Sequence, residues 1–273
     1  MIRTLAFLTI VASASALFGY NPLWNPGFSY FFDAFMGFKS LSRTVEVAQK
    51  QNYQKVENPE LPPRFSGLDL YVIKSKEECQ YLISLCFDET GQVAGVCVNF
   101  PKDKMTSHFD MTEQGYTSWT HDSVDHWRTC FFFVSEDKQT RINSADESKL
   151  LRDKDLTVQG WNGTMDKIPI TSDKIAAKDE WVKQACIIMM GQHYYYNMTP
   201  ELSCDKPFYP WFPLTDENTK QLTGIGFMGV GKTTCKTEVP STSAVKMIVP
   251  TAPQCLYDCV DKYGAFTFHF YFI

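Results

Sequence analysis

The sequence predicts a β-rich α+β protein that is mainly antiparallel sheet, with a few short helices, and is stabilised by disulfide bonds. Three observations lead to this fold class. Short apolar stretches recur between turn residues, aromatic residues make up 15% of the chain, and the chain contains nine cysteines. Aromatic and β-branched side chains favour strands, and exported domains are often cross-linked by cysteines.

The N-terminus has the pattern of a secretory signal peptide over residues 1–16. Arg3 supplies a positive charge, residues 4–12 form a short apolar run, and Ala14-Ser15-Ala16 matches a cleavage site. A membrane span takes about 20 apolar residues, which is longer than this run. We therefore expect a secreted, extracellular protein without a transmembrane anchor.

Residues 17–66 are predicted to be an aromatic-rich N-terminal segment followed by a proline-containing linker. From Ser29 the apolar residues lie near one helical stripe, which predicts a helix packed on its own domain. A helix that docks on a partner or a membrane surface is the alternative. Because Pro59, Pro62 and Pro63 interrupt residues 49–67, a single β-rich globular domain is predicted over residues 67–273.

The elements predicted within this domain follow from apolar runs and turn residues. Residues 81–100 form a β-hairpin around the turn 88–91, and residues 135–155 form a charged excursion. A helix over 254–263 ends at Gly264. Further strands are predicted at residues 129–134, 185–197, 220–234 and 244–249.

The last nine residues form the clearest predicted strand. The phenylalanines of residues 265–273 recur with period two and share one face: Phe266, Phe268, Phe270 and Phe272. Such a strand at an open edge would aggregate. Earlier strands must therefore pair with it and cover it, and residues 185–197 are its expected neighbour.

The cysteine pattern agrees with an oxidising compartment. The odd number leaves at least one thiol free or linking two chains, so a disulfide-linked dimer is one possible assembly. Up to four bridges are possible, and the spacings do not match zinc sites. In the predicted hairpin register Cys86 and Cys97 are not opposite each other, which disfavours a bridge between them. The disulfide candidates are Cys79, Cys86, Cys97, Cys130, Cys186, Cys204, Cys235, Cys255 and Cys259.

The charge balance narrows the classes of partner. The chain has 26 basic and 31 acidic residues, and removal of Arg3 with the leader makes it more acidic still. Nucleic-acid binding and polybasic membrane binding both need a basic surface. We therefore expect no nucleic-acid partner.

One stretch matches a phosphate-binding motif by its letters. Gly226–Thr233 satisfies G-x-x-x-x-G-K-[ST]. That motif needs a helix directly after the loop, whereas here β-branched residues and Pro240 follow. We interpret the stretch as a glycine-rich strand whose neighbours approach closely, and we predict no cofactor.

Three of the five histidines lie between His108 and His126. Imidazole and carboxylate groups are concentrated there, as acid–base chemistry would require. The H-x-x-x-x-H spacing is not a known ligand spacing, so a solvated loop is the favoured interpretation and no metal site is predicted. The catalytic candidates of this region are His121, Asp122, Asp125 and His126.

Two further features have a structural and a functional interpretation. His193 and His269 are predicted to be hydrogen-bonded core residues, which would share a face if their strands were neighbours. Residues 207–213 alternate proline with aromatic rings. This segment either packs as a loop, which we favour, or presents rings to a sugar or a partner.

Two N-glycosylation sequons fit an exported chain. They are Asn162-Gly163-Thr164 and Asn197-Met198-Thr199. Asn162 is the better acceptor, because Pro200 follows the second sequon.

These features favour an extracellular binding or structural glycoprotein over an enzyme, because no nucleophile elbow or metalloprotease motif is present. Its partner would be an extracellular protein, a glycan or an apolar ligand. Two alternatives stay open. One is a carrier of an apolar small molecule in a β-lined cavity, and the other is a secreted hydrolase that uses residues 108–126.

Overall fold

The computed structural model describes residues 28–31, 38–74, 79–134, 150–151, 153–188 and 190–272. The predicted signal peptide, most of the charged excursion and Ile273 lie outside these ranges. The described residues form two antiparallel sheets, a few short helices and three disulfide bonds, which confirms the predicted fold class.

The first sheet, sheet I, contains the phenylalanine-rich strand. Its strands follow one another in space in the order β12, β13, β14, β15, β16, β1 and β2, and β7 pairs with the far end of β15. They are β1 (Phe28–Phe31), β2 (Phe38–Ser40), β7 (Met105–Ser107), β12 (Trp181–Ile187), β13 (Gly191–Tyr196), β14 (Trp211–Thr215), β15 (Leu222–Thr233) and β16 (Ala265–Phe272).

The second sheet, sheet II, lies against the first. Its spatial order is β11, β10, β9, β6, β5, β4 and β3, and β8 pairs with β9. Its strands are β3 (Gln54–Lys55), β4 (Asp69–Val72), β5 (Ile83–Phe87), β6 (Val93–Pro101), β8 (Thr117–His121), β9 (Val124–Phe132), β10 (Asp155–Gln159) and β11 (Met165–Pro169).

The helices are short. They are α1 (Val45–Lys50), α2 (Ser172–Ala176), α3 (Thr242–Ile248) and α4 (Gln254–Tyr263), with 3₁₀ turns at Pro63–Phe65, Lys102–Lys104 and Trp161–Gly163. The helix predicted over 254–263 is confirmed, and Gly264 ends it with φ of 85° and an N–H group that donates to Val260 O. The strand predicted at 244–249 is wrong, because Ser241 caps the helix α3 and Val245 is buried on its inner face.

Phenylalanine side chains fill the space between the sheets. The four predicted phenylalanines of β16 are 0–5% exposed, as a buried face requires. The ring centroids of Phe268 and Phe100 lie 6.1 Å apart, and those of Phe270 and Phe131 lie 5.1 Å apart. Such contacts join the two sheets, since aromatic rings are in contact at 4.5–7 Å between centroids.

The neighbours of β16 differ from the prediction. β16 pairs with β15 on one side and with β1 on the other, and not with residues 185–197. Those residues do not form one strand. Gly191, with φ of 93°, follows a turn that separates β12 from β13.

Residues before the predicted boundary at 67 pair with both sheets. The helix predicted from Ser29 is wrong at the described positions, because Phe28–Phe31 is a strand between β2 and β16. β3 pairs with β4 across the predicted linker. Phe65 in that linker is fully buried and stacks on Phe132, with centroids 3.7 Å apart, so the linker covers the outer face of sheet II.

The disulfide bonds are Cys79–Cys235, Cys97–Cys130 and Cys204–Cys255. Cys97 and Cys130 are direct partners in the β6–β9 register. The predicted hairpin at 81–100 is present, but a bulge shifts its register so that Cys86 pairs with Gly95. Cys86 stays a free thiol beside Cys97, with their Sγ atoms 3.9 Å apart.

The glycine-rich motif lies within strand β15. An added Cβ at Gly226 would lie 1.9 Å from the Phe212 ring, and one at Gly229 would lie 2.2 Å from the Phe266 ring. These glycines therefore leave space for rings on the adjacent strands. The backbone of the motif pairs with β14, β16 and β7 along its length.

We expect Gly226→Ala to destabilise the protein by about 1–3 kcal/mol or more, because its methyl group overlaps the Phe212 ring. Urea unfolding measures the change. The double variant Gly226→Ala/Phe212→Leu should recover part of the loss, since leucine vacates the space. An unchanged unfolding midpoint in Gly226→Ala would contradict this packing.

The free thiols are those of Cys86, Cys186 and Cys259, and the first two give a second prediction. Cys186 is exposed, whereas Cys86 is fully buried and burial raises its pKa to about 12. Iodoacetamide should therefore modify Cys186 in the folded protein, and Cys86 only after unfolding. Partial burial and then Glu217 raise the pKa of Cys186 to about 11, so its labelling should speed up as pH rises.

Peptide mapping without reduction measures the labelling of Cys86 and of Cys186. A Cys86→Ser variant is the control, and it should keep the Cys97–Cys130 link. A Cys86–Cys97 peptide in the native chain would contradict the observed pairing.

Candidate functional site

A cleft lies where the edges of the two sheets meet. The 3₁₀ turn between β10 and β11 of sheet II faces the ends of β12 and β13 and the loop before β14 in sheet I. Two depressions of about 840 and 520 Å³ make up the cleft, and they share the walls Trp161, Asn162, Tyr196 and Tyr209. We call this the aromatic cleft.

A cluster of four rings separates the two depressions. The centroids of Trp161 and Tyr196 are 5.4 Å apart, and those of Tyr196 and Tyr209 are 5.0 Å apart. Trp181 lies 5.4 Å from Tyr196 and 5.6 Å from Tyr209. At these distances the rings touch one another, so a ligand would rest on the outside of the cluster and not among the rings.

Hydrogen bonds between the sheets hold the cluster in place. The Tyr209 hydroxyl donates to Asp166 Oδ2 at 2.8 Å, and Trp211 Nε1 donates to the Gln159 carbonyl at 2.7 Å. Burial, followed by the Asp166 charge, raises the pKa of Tyr209, so its hydroxyl stays protonated. Trp161 Nε1 donates to Phe208 O at 3.3 Å and fixes the ring at the cleft wall.

Gly160 allows this arrangement. An added Cβ at Gly160 would lie 2.0 Å from Asp166 Oδ2 and 3.0 Å from the Tyr209 hydroxyl, so any side chain would break the bond between them. The next residues form the turn that carries Trp161 and Asn162. The Asn162 N–H donates to Glu113 O, which attaches the loop before β8 to the same turn.

The rim of the cleft is polar and carries both signs of charge. The larger depression is bordered by Glu113, Asp205 and Lys206. The smaller one is bordered by Asp166, Glu180, Lys167 and Lys178. Aromatic walls with polar groups around them are typical of sites that bind amphipathic small ligands.

Both sequon asparagines line this cleft. Asn162 and Asn197 are exposed, and both belong to the lining of the larger depression. The sequence indicated each sequon separately but gave no sign that they lie together. The aromatic partners of the cleft, Trp161, Trp181 and Tyr196, were not predicted as site residues at all.

The predicted catalytic candidates lie elsewhere, at the β8–β9 hairpin. Asp122 and Ser123 form its two-residue turn, both with positive φ, as a type I′ turn requires. His121 stacks on Trp119 with ring centroids 5.1 Å apart. The Tyr81 hydroxyl donates to Asp122 and lowers the pKa of that carboxyl, whereas Asp125 accepts from Thr120 Oγ1 at 2.6 Å.

His126 is fully buried, and neither of its ring nitrogens has a hydrogen-bond partner among the described residues. Burial lowers its pKa, which keeps it neutral. His108 packs against Tyr263 of α4, with ring centroids 3.8 Å apart. Within the described ranges, no group of three or more histidine, cysteine, aspartate or glutamate side chains is placed to hold a metal ion.

His193 and His269 share the outer face of sheet I, although their strands are not neighbours. Their ring centroids are 5.7 Å apart. Gly226 lies between Phe212 and His269 in the sheet. Because it has no side chain, the ring centroids of Phe212 and His269 approach to 5.2 Å. His269 Nδ1 contacts Glu238 Oε1 at 2.6 Å, and His193 Nδ1 bonds to the Gly191 carbonyl at 3.0 Å.

A smaller pocket of about 60 Å³ lies between these strands and helices α3 and α4. Its walls are mostly apolar, including Val245, Leu256 and Val260, and His269 and Glu238 contribute its polar groups. Residues 207–213 do not extend over either site as free rings. They are all buried, although Phe208 and Tyr209 reach the wall of the aromatic cleft.

No family model, curated protein or solved structure matches this chain. Among the helices of the described residues, none combines the length and the apolar character needed to cross a membrane.

Protonation of His193 gives a prediction on pH dependence. Burial, followed by the neighbouring His269, lowers the pKa of His193 from 6.5 to about 3. Below pH 6.5 the unfolded chain binds a proton that the folded chain excludes. Stability therefore falls as the pH drops from 6.5 towards 3, by up to about 1.4 kcal/mol per pH unit from this group.

We expect His193→Phe to reduce this loss. Urea unfolding at pH 7.5 and at pH 5 gives the difference in free energy for each protein. The two proteins are compared by the change in unfolding free energy between the two pH values. The variant also loses the hydrogen bond to Gly191 O, but this loss lowers its stability at both pH values and cancels in the change. Equal differences in the two proteins would show that His193 does not contribute.

Proposed function

We propose that this chain is a secreted, disulfide-bonded glycoprotein that acts as an extracellular binding protein, and that the aromatic cleft is its ligand site. The observation that carries this proposal is the shared wall of Trp161, Tyr196 and Tyr209 between two depressions. Trp161 and Tyr196 are only partly buried, so their surfaces remain available to a ligand.

Secretion is supported by several independent features. The N-terminal residues match a signal peptide, and three disulfide bonds suit an oxidising compartment. Both sequon asparagines have exposed side chains, as glycosylation requires. One exposed thiol, that of Cys186, is compatible with a disulfide-linked dimer.

The cleft favours a carbohydrate as ligand. A sugar ring has an apolar C–H face that suits an aromatic surface, and hydroxyl groups that need polar partners. The aromatic cluster provides the aromatic surface, and Glu113, Asp205 and Lys206 provide polar partners for the hydroxyl groups. A purely apolar ligand would make no hydrogen bonds to these exposed charged groups.

The carrier of an apolar small molecule is the second candidate, and the apolar pocket beneath α3 and α4 is the place for its ligand, because phenylalanine side chains fill the space between the sheets. The volume of this pocket, about 60 Å³, is small for such a ligand, so the carrier has less support than the aromatic cleft. Native mass spectrometry of freshly purified protein would detect a bound apolar molecule. The hydrolase hypothesis has less support, because His126 is buried and His121 is stacked on Trp119.

A glycan array followed by calorimetry on the best ligand tests the proposal. We expect Trp161→Ala and Tyr196→Ala to weaken binding by more than about tenfold, because truncation of a central aromatic contact typically has this effect. Trp127→Ala is the matched control. Trp127 is also half-buried, but it lies on β9 beneath Lys102 and outside the cleft.

The thermal midpoints of the three variants show whether each one is folded. Equal loss of binding in Trp127→Ala and Trp161→Ala would contradict the assignment of the cleft. Failure of the wild-type protein to bind any glycan, both before and after enzymatic removal of its N-glycans, would contradict carbohydrate as the ligand class.

A further inference from the structure

In both sequons, the acceptor asparagine directly follows an aromatic residue of the cleft wall. Asn162 follows Trp161, and Asn197 follows Tyr196. The two rings contact each other edge to face, with centroids 5.4 Å apart. The two sequons are 35 positions apart in the chain and lie on different sheets, so the fold alone brings them to one surface.

The backbone fixes both acceptors at the rim. Asn162 and Asn197 have φ values of 53° and 48°, in the left-handed region that asparagine tolerates better than most residues. The Asn162 N–H donates to Glu113 O at 3.1 Å, and the Asn197 N–H donates to Glu180 O at 2.6 Å. Each acceptor is therefore held against a segment from another part of the cleft.

An attached glycan would meet the aromatic cluster at once. The C–H face of the first sugars can rest on the electron-rich face of an aromatic ring. A tether also raises the local concentration of the sugar to about the millimolar range, so that even a weak contact is populated. A free ligand has no such advantage.

We propose that the N-linked glycans of Asn162 and Asn197 occupy the aromatic cleft, with their first sugars on Trp161 and Tyr196, and compete there with an outside ligand. This rests on the proposed glycosylation and on the cleft as the ligand site. The glycans then regulate the site, because their removal or trimming exposes the aromatic wall.

The first experiment measures the glycans without any outside ligand. Peptide:N-glycanase releases glycans from the folded protein, and mass spectrometry follows each asparagine. For each protein, the release rate of the folded form is divided by that of its denatured chain. This ratio should be about fivefold higher in Trp161→Ala and in Tyr196→Ala than in the wild type, the factor expected from one lost ring contact. Trp127→Ala should leave the rate unchanged.

Equal release rates in wild type and in both cleft variants would overturn the proposal. An unmodified Asn162 or Asn197 in the secreted protein would also overturn the proposal, because the proposal requires both glycans. Since this experiment needs no ligand, it decides on the glycan position even if no outside glycan binds, and the two proposals can fail separately.

The second experiment measures competition. Thr164→Ala/Thr199→Ala removes both sequons, keeps both asparagines of the cleft lining, and should bind the glycan found on the array about fivefold more tightly than the wild type. Thr164→Ser/Thr199→Ser keeps both sequons and is the matched control, with the affinity of the wild type. Equal affinity in the glycosylated and unglycosylated proteins would overturn the regulatory role.

Discussion

The contact between the phenylalanine faces of the two sheets is the interaction on which the other features depend. Phe268 and Phe270 of β16 meet Phe100 and Phe131 of sheet II, and all four are fully buried. Complete burial of each ring contributes about 1.5–3 kcal/mol, before any ring–ring term is added. Because β16 lies between β15 and β1, this contact also holds the N-terminal strand in the sheet.

The glycines of β15 make room for aromatic rings on the neighbouring strands. A sheet crowded with phenylalanine has no room for side chains at every position, and Gly226 and Gly229 provide the space that Phe212 and Phe266 take. The match to a phosphate-binding motif is therefore a by-product of aromatic packing. The same gap at Gly226 brings His193 and His269 together across two intervening strands.

The aromatic cleft lies at one edge of the two packed sheets. Their edge strands, β11 and β12, are joined through α2, and the loops beside them fold over the gap. The bonds from Tyr209 to Asp166 and from Trp211 to Gln159 set the distance between the sheets at this edge. They leave part of Trp161 uncovered, which makes the cleft a candidate site and not a sealed core.

Local patterns in the chain were sufficient to predict the Phe266–Phe272 face, the helix that ends at Gly264 and the strand-rich fold class. The alternation of apolar residues and the residues that end a helix both act within a few positions of the chain. They failed for α3, since a short β-branched stretch fits a helix or a strand equally well until Ser241 and the sheet are in place. The neighbours of β16, the three disulfide pairs and the meeting of Trp161 with Tyr196 depend on contacts between residues far apart in the chain. Such contacts follow from the register and order of strands, which no local pattern encodes.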